Sequence, residues 1–152
     1  MDLPPLPSEG GCRCGRVRLR MTKPPLVTAI CHCRGCQRMT ASAFSTTVTL
    51  PLDGLEVVAG ETVVGGMHGG GAAGEHHHCE WCKSWLFTRL PPEYGAVNLR
   101  ATMLDDARWF VPFIETQTAE ALPWALAGAP HAFARFPEPA DYPELMAAFA
   151  RQ

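Results

Sequence analysis

Cys31-His32-Cys33-Arg34-Gly35-Cys36 places three thiols within six residues, close enough to share one ion whatever fold surrounds them. Four further cysteines stand in two pairs, Cys12 with Cys14 and Cys79 with Cys82, in a chain of 152 residues. Soft thiolates favour zinc, iron–sulfur clusters or cuprous copper. A closed structural zinc site takes four protein ligands, whereas a catalytic one takes three and keeps a position open. Seven cysteines divide naturally into four and three.

A chain of this length fits one domain and can bury an ordinary core. Its hydrophobic content of 47% is that of a globular protein. No apolar run approaches the ~18 residues that suggest a membrane helix. Residues 1–9 carry three prolines and no basic start followed by an apolar stretch, so they are not a signal peptide. They are expected to form a flexible N-terminal tail, with a single zinc-binding domain over residues 10–152. A cytoplasmic setting is expected, where thiols stay reduced. The odd cysteine count and the C-x-C and C-x-x-C spacings also favour metal over disulfides. A formal charge of −2 gives no general attraction for nucleic acid or anionic membranes, so neither is expected as a partner.

Along the chain the signals are mostly those of β structure. Gly10 and Gly11 let the backbone turn around Cys12 and Cys14, whose i, i+2 spacing turns both thiols to one side of an extended chain. Residues 16–21 alternate cleanly, with Val17, Leu19 and Met21 on one face and Arg16, Arg18 and Arg20 on the other, a half-buried strand with a solvated arginine row. Residues 26–30 read as a strand delivering Cys31, and residues 37–42 as a short helical turn. Residues 43–50 form a Thr- and Val-rich strand. Leu55–Ala59 and residues 61–64 follow as strands, broken at Gly60.

Residues 65–74 hold six glycines and read as a loop or hairpin tip, a candidate substrate lid. Beyond Cys79-Glu80-Trp81-Cys82, strands are expected over residues 85–90, 96–101 and 110–116, with Pro112 pointing to an edge position in the last. Residues 122–139 are irregular. Asp141 followed by Glu144 resembles a capping box opening a helix to Ala150. Trp81, Trp85, Phe44, Phe110, Phe113 and Trp124 are expected in the core.

Two partitions of the cysteines fit the spacing. In the preferred one Cys31, Cys33 and Cys36 share an ion, leaving Cys12, Cys14, Cys79 and Cys82 as a closed four-thiolate site. Such a site would close a long loop, a cost that structural zinc offsets with roughly 10–16 kcal/mol of apparent binding energy. In the rival partition Cys33, Cys36, Cys79 and Cys82 form a zinc-ribbon pattern of unusually long separation. A thioredoxin-like role for Cys33 and Cys36 lacks its βαβ context.

Three stretches together resemble a known family: Gly10-Gly11-Cys12-Arg13-Cys14-Gly15-Arg16-Val17-Arg18, then residues 31–44 from Cys31-His32-Cys33 to Thr40-Ala41-Ser42-Ala43-Phe44, then Cys79-Glu80-Trp81-Cys82. They are similar to the glutathione-dependent formaldehyde-activating enzyme family, which includes centromere protein V. Weaker echoes follow in Thr102-Met103-Leu104-Asp105-Asp106 and Leu122-Pro123-Trp124. The resemblance implies a mainly β, Mss4-like antiparallel domain stapled by zinc, with short helical turns and a C-terminal helix. It implies two zincs per chain, a structural one on Cys12, Cys14, Cys79 and Cys82 and a catalytic one on Cys31, Cys33 and Cys36. The family often has glycine where Ala41 and Lys83 stand here, and a glycine after a thiol turn serves a backbone with φ > 0.

The implied chemistry is that of a carbon–sulfur lyase acting on a glutathione (or other thiol)–aldehyde adduct. Thiol activation suits a three-thiolate zinc better than strong carbonyl polarisation, because the site is net negative. Arg34 and Arg38 are candidate partners for the substrate's carboxylates. Gln37, Thr40 and Ser42 are candidate hydrogen-bonding groups that serve equally well to cap the turn after Cys36. His32 is read as facing solvent, with a role behind the ligands or as a proton shuttle as the alternative. His76, His77 and His78 are candidates for at most one fourth ligand. The competing reading is a non-catalytic, zinc-stabilised binding or chaperone-like module.

Overall fold

The structure, a computed structural model, describes residues 3–66 and 74–152. Residues 67–73, most of the stretch read as a glycine-rich loop or lid, lie outside the described residues. The chain is mainly β, built as two sheets with two short α-helices. A three-stranded sheet has β2 (Arg18–Met21) between β1 (Ser8–Gly11) and β5 (Leu55–Ala59). β1 takes in Ser8 and Glu9, two residues that the sequence suggests are tail.

The larger sheet comprises β3 (Val27–Cys31), β4 (Ser45–Pro51), β6 (Thr62–Val64), β7 (Glu75–Cys79), β8 (Trp85–Arg89), β9 (Ala96–Leu99), β10 (Ile114–Thr116) and β11 (His131–Ala132). Its order is β11-β10-β3-β4-β9-β8-β7-β6. Every pair is antiparallel except those of β10, which runs parallel to both β3 and β11.

Alternation in β2 does what the pattern requires. Val17, Leu19 and Met21 are buried against Val48, Leu50, Phe87, Val97 and Leu99 of the larger sheet. The intervening arginines find acids: Arg18 pairs with Asp105, and Arg20 Nε donates to Glu9 Oε1 at 2.7 Å. Such exposed pairs contribute at most about 1 kcal/mol each, so burial of the apolar face, not the ion pairs, sets the register.

A second apolar cluster seats α2 (Tyr142–Phe149) through Leu145 and Phe149 on Val27, Phe113 and Ile114. The capping box before α2 is one turn earlier than the sequence suggests. Glu138 and Asp141 cap each other across a 3-10 turn, and α2 follows directly.

Three other expectations are corrected. β10 holds only residues 114–116 and is interior, between β3 and β11, so Pro112 precedes the strand rather than marking an edge. Trp81 and Trp124 are exposed, while Trp85 and Phe113 are in the core as expected. His32 is completely buried, not facing solvent.

Candidate metal centre

β3 ends on Cys31, and the chain then turns through His32 and Cys33 into α1 (Arg34–Thr40). Cys33 is the N-cap of that helix, its Sγ accepting from the Cys36 N–H at 3.3 Å. Strand end, cap and first turn therefore gather Cys31, Cys33 and Cys36, with all three Sγ atoms within 4.8 Å of one another. The trio competes for charge. Hydrogen bonds from the thiols of Cys31 and Cys36 pull Cys33 down to about 2, against its burial. The same contacts push Cys36 and Cys31 up. The thiolate is the form in which sulfur is both nucleophile and metal ligand.

The other four cysteines meet where the loop after β1 touches the turn between β7 and β8. Cys12 Sγ lies 3.5 Å from Cys14 Sγ, and Cys14 Sγ 3.8 Å from Cys79 Sγ. Four thiolates placed tetrahedrally around zinc stand about 3.8 Å apart, so the cage has the right edge length. Backbone donors support it: the Val17 N–H points at Cys12 Sγ at 3.3 Å. Burial opposes ionisation of Cys82, but hydrogen bonds from the Ser84 hydroxyl and backbone hold its thiol down to about 5. All seven cysteines are free. The structure thus assembles four and three, and the zinc-ribbon grouping of Cys33, Cys36, Cys79 and Cys82 does not form. Both donor sets fit a thiophilic cation.

Groups beyond the sulfurs fix the trio's loop. His32 lies between two of its cysteines in sequence, yet its ring is sealed inside. Glu115 on β10 receives the Ala127 N–H at 2.7 Å, the Ala129 N–H at 3.1 Å and His32 Nε2 at 3.0 Å. Burial pushes the Glu115 carboxyl up, and these hydrogen bonds, Ala127 foremost, overcome it and hold it below the usual glutamate range. An ionised carboxylate only accepts, so His32 donates from Nε2. Its Nδ1 has no partner among the described residues.

Gln37 Nε2 donates to the carbonyls of His32 at 2.7 Å and Glu120 at 2.9 Å. Thr40 Oγ1 donates to the Cys36 carbonyl at 2.8 Å, near the helix end. These two use their polar groups on the protein's own backbone, the capping alternative. Arg34, Arg38 and Ser42 are exposed, and neither arginine side chain has an ion pair among the described residues. Neither cluster includes a histidine. His77 stacks on Phe87 in the core, and His76 Nδ1 meets Thr88 Oγ1 at 2.8 Å. Glu115 went unrecognised in the sequence because nothing local distinguishes it. Its role exists only through partners 12, 14 and 83 positions away.

Comparison with known proteins agrees with this picture. The family model described as "Glutathione-dependent formaldehyde-activating enzyme" matches residues 7–120. Among curated proteins, none matches the chain in sequence. A crystal structure of a Rhodobacter sphaeroides protein, a structural-genomics target, is 18% identical with a TM-score of 0.54, covering 82% of this chain and 98% of its own. That likeness speaks for the fold.

Proposed function

The chain belongs to the glutathione-dependent formaldehyde-activating enzyme family, and from that premise we propose that it is a zinc-dependent enzyme of carbon–sulfur lyase type. Its substrate is the adduct of a small thiol, glutathione or a relative, with formaldehyde or a similar aldehyde. One observation carries the reading: a three-sulfur cluster, Cys31, Cys33 and Cys36, stands apart from a four-sulfur cluster in the same chain. Three protein ligands suit a zinc with one position for a substrate, four suit a closed structural site. Cys12, Cys14, Cys79 and Cys82 would hold the structural zinc.

When bound at the trio, zinc supplies stabilisation of a substrate thiolate and a Lewis acid beside it. The reaction forms a bond between sulfur and the carbonyl carbon while the carbon–oxygen double bond becomes a hydroxyl, and the reverse step cleaves the carbon–sulfur bond. The proton leaving the thiol balances the one gained by oxygen, so no redox partner is needed. The protein's own residues do the positioning. Glu115, His32 and Gln37 hold the backbone on which the three sulfurs sit. Arg34 and Arg38 present exposed guanidinium groups to a thiol substrate's carboxylates. A reducing cytoplasmic setting suits seven free thiols.

Exposed Trp124, Leu126 and Phe136 on the segment after β10 favour the second reading, a non-catalytic zinc-stabilised module. Metal analysis and NMR exchange separate the two. Untagged protein is expected to carry two zincs per chain and to accelerate exchange between formaldehyde and its glutathione adduct, and Cys36→Ser to lose the acceleration while staying folded. Unchanged exchange rates with fully loaded protein would defeat the enzyme reading.

A further inference from the structure

Alternation along the larger sheet sorts its two faces: one packs on the first apolar cluster, while the other seats α2 at β3 and β10 and turns polar around Cys31. Cys31 stands opposite Ser45, and Thr47 and Thr49 continue that face along β4. Thr49 stands opposite Asn98 on β9, with Oγ1 and Oδ1 2.8 Å apart. Two residues beyond Asn98, back toward Cys31, is Arg100, still extended and bonded through its N–H to the Leu86 carbonyl. Arg100 is only 6% exposed. Its Nη2 donates to the Asn98 carbonyl at 3.1 Å, its guanidinium lies 4.3 Å from the Trp85 ring centroid, and its Nε has no partner. No carboxylate pairs with it among the described residues. His76, on the neighbouring part of this face, is pulled below the usual histidine range first by burial and then by the positive charge of Arg100.

A guanidinium stripped of water without a counter-ion is among the costliest groups a protein can bury. It persists where an anion faces it. We propose that Arg100 is the counter-charge of the three-cysteine site, a positioning residue that offsets the negative charge of the thiolates and so sets how tightly that site holds its metal. Three thiolates around a divalent ion leave one net negative charge, and a bound substrate thiolate adds another. Burial pulls the Arg100 guanidinium down to about 10, and negative charge on Cys36 and then Cys31, as both would carry when ligating a metal, opposes it. Arg100 touches neither substrate nor metal in this role. It acts through the field it places behind the sulfurs, at a position fixed by the strand rather than by a flexible loop.

The inference rests on the trio being a metal site, and its test reads metal affinity rather than turnover. Zinc is withdrawn from wild type, Arg100→Gln and Arg100→Lys with a chromophoric chelator, and cobalt-substituted protein is followed by its thiolate-to-metal absorption. Arg100→Gln is expected to weaken the three-cysteine site by roughly 10–100-fold, as loss of supporting groups around a metal site typically does. The four-cysteine site is expected to stay unchanged, and Arg100→Lys to recover most of the loss. Equal affinities in wild type and folded Arg100→Gln overturn the proposal, as does a lysine variant no better than glutamine.

Should Arg100→Gln not fold, a second comparison decides. With Cys31, Cys33 and Cys36 all replaced by serine, Arg100 loses its anion, so adding Arg100→Leu is expected to raise the melting temperature. A fall there also overturns the proposal. Wild type binding a single zinc would remove the trio as a metal site, and with it the proposed function. Two zincs with unaltered affinity in Arg100→Gln would remove the counter-charge alone.

Discussion

Lys83 is a single residue that stands against its own backbone. It adopts φ 60 directly after Cys82, and Ala41 adopts φ 49 at the end of α1. Left-handed geometry costs a residue with a Cβ roughly 1–2 kcal/mol, partly offset by the 0.5–1 kcal/mol or so that glycine's extra freedom would cost. Lys83→Gly is therefore expected to raise stability by up to about 1 kcal/mol, read as a higher denaturant midpoint at unchanged metal content. A lower midpoint would mean that the lysine stem outweighs the strain. Glu115 presents the opposite case, a residue whose hydrogen-bond partners all favour its charged form and outweigh its burial. Because its folded carboxyl is held below the ordinary value, its contribution to stability is complete above the usual glutamate range near ~4.3. It is lost as pH falls through the lower folded value. The stability advantage of wild type over Glu115→Gln should be full at pH 7 and shrink in acid, measured by urea midpoints with metal content followed in parallel. Glu115→Ala, which strands two backbone donors and His32 Nε2 in the interior, should cost about 3–5 kcal/mol. An alanine variant within experimental error of wild type would show that the cluster is not holding the loop.

At the scale of elements, what could be read from the sequence is what repeats locally. Val17, Leu19 and Met21 announced β2, and the Cys31–Cys36 spacing announced a trio whatever surrounds it. The left-handed backbone at Ala41 and Lys83 falls where the resembled family often has glycine, a departure that by itself put the local geometry in question. What could not be read depends on pairings made across the chain. The strand expected over residues 110–116 is there only as the three residues of β10, which sits between two strands in parallel register, and no alternation is long enough to reveal its bounds or its interior place. The burial of His32 follows from that same insertion, which brings Glu115 beneath it. The two cysteine clusters differ in how they join elements, and this difference is measurable. Cys31, Cys33 and Cys36 lie on one strand–helix corner, whereas Cys14 and Cys79, 65 positions apart, connect the β1–β2 loop to the β7–β8 turn. Cys36→Ser should remove one metal with a small change in melting temperature. Cys82→Ser should remove the other with a loss of several kcal/mol or failure to fold. Equal effects of the two substitutions on stability would contradict the division into structural and functional clusters.

For the whole molecule the deciding comparison is between magnitudes. A domain of this size is stable by about 5–15 kcal/mol in total, while a structural zinc site contributes roughly 10–16 kcal/mol of apparent binding energy coupled to folding. With zinc bound, the four-cysteine cage alone would be comparable with the net stability of the fold. The small sheet β1-β2-β5 shares its apolar face with the large one, yet its loop at Cys12 and Cys14 reaches the β7–β8 turn through the sulfurs and the bond from the Arg13 N–H to Ser84 Oγ. The trio closes no comparable loop, since its three sulfurs are held by β3 and α1 whether or not an ion is present. A strong chelator added in steps should accordingly act in two stages. The first stage should empty the three-cysteine site and abolish adduct exchange while the near-UV circular dichroism stays native. The second should empty the four-cysteine site and unfold the chain cooperatively. If tertiary structure collapsed with the first metal released, or survived the loss of both, the cage would not be what makes this small β domain stable.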